Sequence, residues 1–250
     1  MYLDEETYEE IKGEVAHYLV QCGMSYPLNA DEFARRMEIK FIPYSELGND
    51  AYIEAMRTSR DGFLCEKNCS YTYIFFNDER MKERQDMSLL HEIGHQVLDH
   101  NSTPNKSDDV KEAEAKFFAK YVKAPMPLIH LLPIVTTDTI QKAFGLSREA
   151  AKYALDNYQK WLKRFNGTYT DYEQKILSLK RDGLNAYIEE LKIQKNRHSV
   201  RYQLMERQKH NLNRARKSRG QVVSLQGYKS AIVQRNLYEI QQITKFGGVM

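Results

Sequence analysis

The pentapeptide HEIGH at residues 91–95 constrains this chain more than any other feature of its 250 residues. Around it, Met87, Leu90, Ile93, Val97 and Leu98 recur at helical spacing, so the pattern predicts a helix over 79–100. The first and fifth positions of a helical pentapeptide lie about 40° apart, which puts His91 and His95 on one face, one turn from each other. Two imidazoles so placed can share one Zn2+ at bonding distances of about 2.0–2.1 Å. Glu92 sits beside the first of them, where a carboxylate can take a proton from water activated by the metal. With only 7 His in the chain, the pattern His-Glu-any-any-His is expected by chance about 0.02 times.

A catalytic zinc site needs a third protein ligand and an open fourth position. His100 is one candidate, but a helix continued that far would turn it about 180° away from His91, so a capping or supporting role fits it better. Glu112 and Glu114 are stronger candidates, on a second predicted helix over 109–123 that stops at Pro125. Ala115 and Ala119 share the face of Glu112, and their small side chains let that helix approach the first closely. Glu114 lies about 200° around the helix from Glu112, so the two cannot both be ligands.

Elsewhere the spacing predicts helices over 4–22, 30–37 and 137–144, another from Ser147 to about Phe165, and strands over 39–44, 62–66 and 71–76. The second and third strands flank a polar turn, KNCS. Residues 171–219 read as one or two long helices with weak apolar spacing, broken at Gly220 and followed by a loose GGVM end. The whole is an α+β chain: a small early sheet, a helical core, and a mainly helical C-terminal extension.

Charge divides the chain in the same place. Residues 1–165 carry 21 Lys/Arg against 27 Asp/Glu, whereas residues 166–250 carry 16 against 7. We therefore expect one domain over 1–165 and a basic extension over 166–250. Within 192–219 there are ten Lys/Arg and one acid, Glu206, a density that can serve nucleic acid or an acidic partner, or simply solvate a helical face. The longest uncharged stretch, Ala124 to Thr137, contains His130 and three prolines, so no membrane span is expected. An acidic N-terminus and three cysteines point to a reducing, cytoplasmic setting without a disulfide framework. Cys65 and Cys69 are read as ordinary thiols; His17, His198 and His210 lack a partner at ligand spacing; His130 or Tyr121 is open as a group that polarises a substrate carbonyl.

Four segments together resemble the ImmA/IrrE family of zinc metallopeptidases, a minimal gluzincin-like group: YTYIFFND, SLLHEIGHQVLDH, EAEAKFFAKYVKAP and FGLSREAAKYAL. The resemblance spans roughly residues 10–160. It implies a zincin-like core, one zinc ion held by His91, His95 and Glu112, and Glu92 as the catalytic glutamate. Phe118, Ala119 and Pro125 match the remainder of the second helical motif; Lys116 stands where the family usually has Asn or Asp. The resemblance further implies an endopeptidase whose protein substrate is a helix-turn-helix repressor, cleaved to derepress mobile-element or stress genes. The reading of another class is a regulator or toxin-like component that binds nucleic acid or a protein through its basic region, with a structural or vestigial zinc site.

Overall fold

The computed structural model describes residues 3–67, 71–103 and 105–219. The KNCS turn with Cys69, and the break at Gly220 with the GGVM end, lie wholly or partly outside these residues.

Asp4 accepts a hydrogen bond from the Thr7 backbone N–H at 2.8 Å and so opens α1 (Glu5–Gln21), whose Ile11, Val15 and Leu19 form the buried stripe. Asn29 caps α2 (Ala30–Arg36) in the same manner, through the Glu32 N–H. Three strands follow: β1 (Lys40–Pro43), β2 (Gly62–Lys67) and β3 (Tyr71–Phe76). Their order is β1-β3-β2, with β1 parallel to β3 and β2 antiparallel to it. The aromatic run YTYIFF is thus the middle strand, which is why it reads as apolar on both faces; Ile74 is fully buried and Phe75 stacks on Phe63 across the hairpin at 5.2 Å. The parallel pairing needs a crossover, and between β1 and β2 the chain carries a helix that the spacing does not announce, α3 (Asn49–Thr58). It has one buried residue, Ala55, and therefore little apolar pattern to read.

The remaining core is helical: α4 (Lys82–Val97), α5 (Asp108–Lys123), the short α6 (Met126–His130), α7 (Thr137–Phe144) and α8 (Arg148–Arg164). Lys123, buried on α5, donates to Asp86 of α4, Nζ to carboxylate 2.7 Å, and also to the Leu28 carbonyl at 3.3 Å. The chain is α+β, with the small mixed sheet set early and helices after it.

Two compact units divide the chain, Met1–Lys195 and Asn196–Met250. The first takes in residues 166–195: α9 (Asp171–Ser178) and the start of α10 (Asp182–Arg219) bury Ile176, Leu184 and Leu191 in the common core. Trp161 Nε1 donates to Glu173 at 2.8 Å and Tyr172 donates to Glu9, tying α9 to α8 and α1. In the second unit, residues 196–214 of α10 are mostly exposed, with Val200, Tyr202 and Met205 standing in solvent. Among the described residues, no helix is long and apolar enough to cross a membrane.

Candidate metal centre

The close approach of α4 and α5 builds the site. Gly94, inside HEIGH, faces α5: a Cβ added there would lie 3.0 Å from Phe118 Cδ1 and 3.3 Å from the Ala115 Cα. Ala115 and Ala119 on the opposing face are buried, so three small residues let the two backbones come together. Gly94→Ala should force this contact open and lower stability by about 1–3 kcal/mol, measured by urea denaturation. Unchanged stability would show that the helices separate freely.

At that contact three donors converge. His91 Nε2 and His95 Nε2 are 3.1 Å apart, Glu112 Oε2 is 3.4 Å from the first and Glu112 Oε1 is 3.3 Å from the second. Donors bonded at about 2.0–2.1 Å to a tetrahedral ion lie about 3.3–3.4 Å from one another, so this triangle has the size such an ion requires. Burial pushes both imidazoles below their ordinary range, His91 opposed by the Glu112 charge, and His95, with His91 beside it, down to about 4. They are therefore held neutral, the form that coordinates a metal. Burial raises the Glu112 pKa, but the hydrogen bond and charge of Lys116 help to hold the carboxyl below its usual range. The donor set, two neutral imidazoles and one carboxylate, fits a divalent cation.

Glu92 faces the same cleft and is buried; desolvation pushes its carboxyl up to about 7, against a hydrogen bond from the Leu64 backbone N–H. A carboxylate so placed can exchange a proton near neutrality. The cleft, about 700 Å3, is walled on one side by Gly62, Phe63 and Leu64 of the edge strand β2 and on the other by Glu112, Lys116 and Lys120 of α5.

His100 returns to the site by a turn the helical extrapolation does not contain. Asp99 adopts φ +49°, the Asp99 N–H donates to the Gln96 carbonyl at 3.2 Å, and the His100 N–H donates to the His95 carbonyl at 3.1 Å. This is a Schellman ending, in which the left-handed residue folds the next one back under the last turn. His100 Nδ1 then meets His95 Nδ1 at 2.8 Å, and His100 Nε2 meets Glu114 Oε2 at 2.9 Å. Burial lowers the His100 pKa, with the Glu114 carboxylate opposing, which favours the neutral imidazole. Glu114, the alternative ligand by sequence, faces away from the donor triangle and is spent on this contact and on Lys106. Lys106 is the residue that sequence reasoning missed; a loop lysine eight residues before its partner leaves no periodic signal.

Lys116 bonds neither histidine; its ammonium is 3.2 Å from Glu112 Oε2. The second nitrogen of His95 is instead served by His100. Neither residue open for carbonyl polarisation lines the cleft: His130 bonds the Tyr158 hydroxyl at 2.9 Å within an aromatic cluster of Trp161, Phe165 and Tyr169, and Tyr121 is buried in the core. Cys65 is exposed and free, His17 packs edge-on against Tyr18, and His198 and His210 are exposed on α10.

Paired histidines one turn apart, a carboxylate from a second helix and a glutamate beside the first histidine define the metallopeptidase class of site. Residues 46–156, the stretch that carries the site, match the peptidase M78 family, the IrrE N-terminal-like domain. No curated protein matches the chain.

Proposed function

We propose that the protein is a zinc-dependent endopeptidase in which His91, His95 and Glu112 hold one zinc ion and Glu92 is the general base. The observation that carries this reading is the 3.1–3.4 Å donor triangle opening onto a cleft that Glu92 shares. When bound, the ion would polarise the peptide carbonyl and make water acidic enough to give up a proton near neutrality. Glu92 takes that proton and returns it to the amine that leaves. Among the described residues β2 pairs only with β3, and its other side lines the cleft, where an extended substrate segment can add beside it.

Family resemblance supports the finer statement, that the substrate is a helix-turn-helix repressor in the cytoplasm whose cleavage derepresses mobile-element or stress genes. Incubation of the zinc-loaded protein with a repressor encoded beside it tests this: discrete fragments by mass spectrometry, abolished by a chelator, are expected. An intact repressor under those conditions refutes the substrate.

The peptidase chemistry is placed in residues 1–165, and the basic segment 192–219 is proposed to hold the enzyme close to a DNA-bound substrate through phosphate contacts. The core burial of Ile176, Leu184 and Leu191 sets where the chain can be cut. Each such side chain contributes about 1.5–3 kcal/mol on burial. Truncation after Lys195 is expected to leave folding and metal uptake intact while lowering DNA affinity, whereas truncation after Phe165 should give insoluble or unfolded protein. Circular dichroism and a fluorescence-anisotropy titration with duplex DNA check the two outcomes; equal DNA affinity in the longer truncation would remove the role given to the basic segment.

A further inference from the structure

Behind the donor triangle lies a line of hydrogen bonds that the peptide chemistry does not use. Lys106 Nζ is 2.8 and 3.0 Å from the two oxygens of Glu114, Glu114 Oε2 is 2.9 Å from His100 Nε2, and His100 Nδ1 is 2.8 Å from His95 Nδ1. Glu114 and His100 are each 2% exposed, so water does not substitute for either partner.

With both imidazoles neutral, and with the Nδ1–Nδ1 contact made, proton counting along this line has one solution. A carboxylate gripped by an ammonium only accepts hydrogen bonds, so His100 Nε2 carries the hydrogen that it shares with Glu114. A neutral imidazole has one such hydrogen, which leaves His100 Nδ1 bare. The bond between the two Nδ1 atoms must then be donated by His95. Neutral His95 is consequently bare at Nε2, the atom that faces His91 Nε2 and Glu112.

We propose that Lys106, Glu114 and His100 act as a positioning relay that fixes His95 in the Nδ1–H tautomer, and that the relay thereby sets how tightly the centre takes zinc. Without it, the imidazole is free to carry its hydrogen at Nε2, where a cation must displace it, and to rotate out of the triangle. The inference rests on the metal-site reading above, but its first half concerns the metal-free protein. The Schellman turn at Asp99 is what delivers His100 to this position, so the end of α4 is part of the centre rather than only a helix stop.

The experiment has two arms on the full chain. Long-range 1H–15N spectra of the metal-free wild type should show His95 protonated at Nδ1 and bare at Nε2; a hydrogen found on Nε2 overturns the proposal. In the second arm, zinc affinity is measured by competition with a chromophoric chelator for the wild type, His100→Ala and His100→Gln. His100→Ala should bind zinc about 10–100-fold more weakly, and His100→Gln, whose side-chain oxygen can still accept from His95 Nδ1–H, should recover most of the loss. A purely structural role for His100 would lower thermal stability in both variants without the split in affinity. Affinity within twofold of wild type in His100→Ala, or equal weakening in both variants, overturns the relay. Should His100→Ala fail to fold, the wild-type spectra and His100→Gln still decide. Failure of the wild type to bind any zinc would overturn the metal-site reading and with it the affinity half, while the spectra report the tautomer independently.

Discussion

Glu92→Gln is expected to leave zinc uptake unchanged and to cut cleavage of the protein substrate by about 10²–10⁴-fold, the range that a positioned general base contributes. The substitution keeps the shape of the side chain and its ability to accept the hydrogen bond from the Leu64 N–H. It removes only the capacity to take and return a proton. Glu92 lies outside the donor triangle of His91, His95 and Glu112, so the two functions are separable. The check is a pair of measurements on one preparation: zinc stoichiometry by elemental analysis, and the cleavage rate under single-turnover conditions. Full-rate cleavage by the variant would remove the role assigned to Glu92; loss of zinc together with activity would show that Glu92 supports the centre instead of acting as a base.

Much of the centre was legible because it depends on short-range periodicity. His91, Glu92 and His95 lie within one pentapeptide, and the geometry of a helix alone puts the two imidazoles side by side. The place of Glu112 was legible at one remove: Ala115 and Ala119 mark the face by which α5 nears α4, and a residue on that face is carried to the two imidazoles. His100 was harder. Its distance from His91 in sequence excludes it from a continued helix, and only the left-handed backbone at Asp99 brings it back to His95. Aspartate adopts that conformation uncommonly, so nothing in QVLDH announces the reversal.

The same distinction accounts for the fold. Elements with a strong apolar stripe or a capping side chain, such as α1 behind Asp4 and α7 behind Thr136, emerge from spacing within a residue or so. α3 buries little and has a glycine where a capping side chain would stand, so its pattern is that of a loop. The charge change at 165/166 is real in composition, but charge resides on exposed faces, whereas compactness follows buried ones. Ile176, Leu184 and Leu191 sit on helices whose other faces are strongly polar, and they carry those helices into the first unit as far as Lys195.

Removal of any one donor of the triangle should have a larger effect on the metal than any other change. Apparent zinc-binding free energies in small structural sites are about 10–16 kcal/mol, which shared among three or four donors is about 3–4 kcal/mol each, or ~10²–10³-fold in affinity. His91→Ala, His95→Ala and Glu112→Ala are therefore each expected to weaken zinc binding by that factor and to abolish cleavage at micromolar zinc. The three need not be equal. Both histidines are largely buried, and a cavity left by either cannot supply a replacement donor without admitting water; Glu112 is nearly half exposed, so water can enter its place at once. Glu112→Ala should accordingly be the mildest of the three. Zinc raises the melting temperature of any protein that binds it only when folded, so the shift on adding zinc measures each variant without a substrate. Wild type should shift, the histidine variants should not, and Glu112→Ala should shift only at zinc concentrations raised by the factor above. A full wild-type shift in Glu112→Ala would mean that α5 contributes no ligand, and the peptidase reading would lose the carboxylate that distinguishes this centre from a chance pair of histidines.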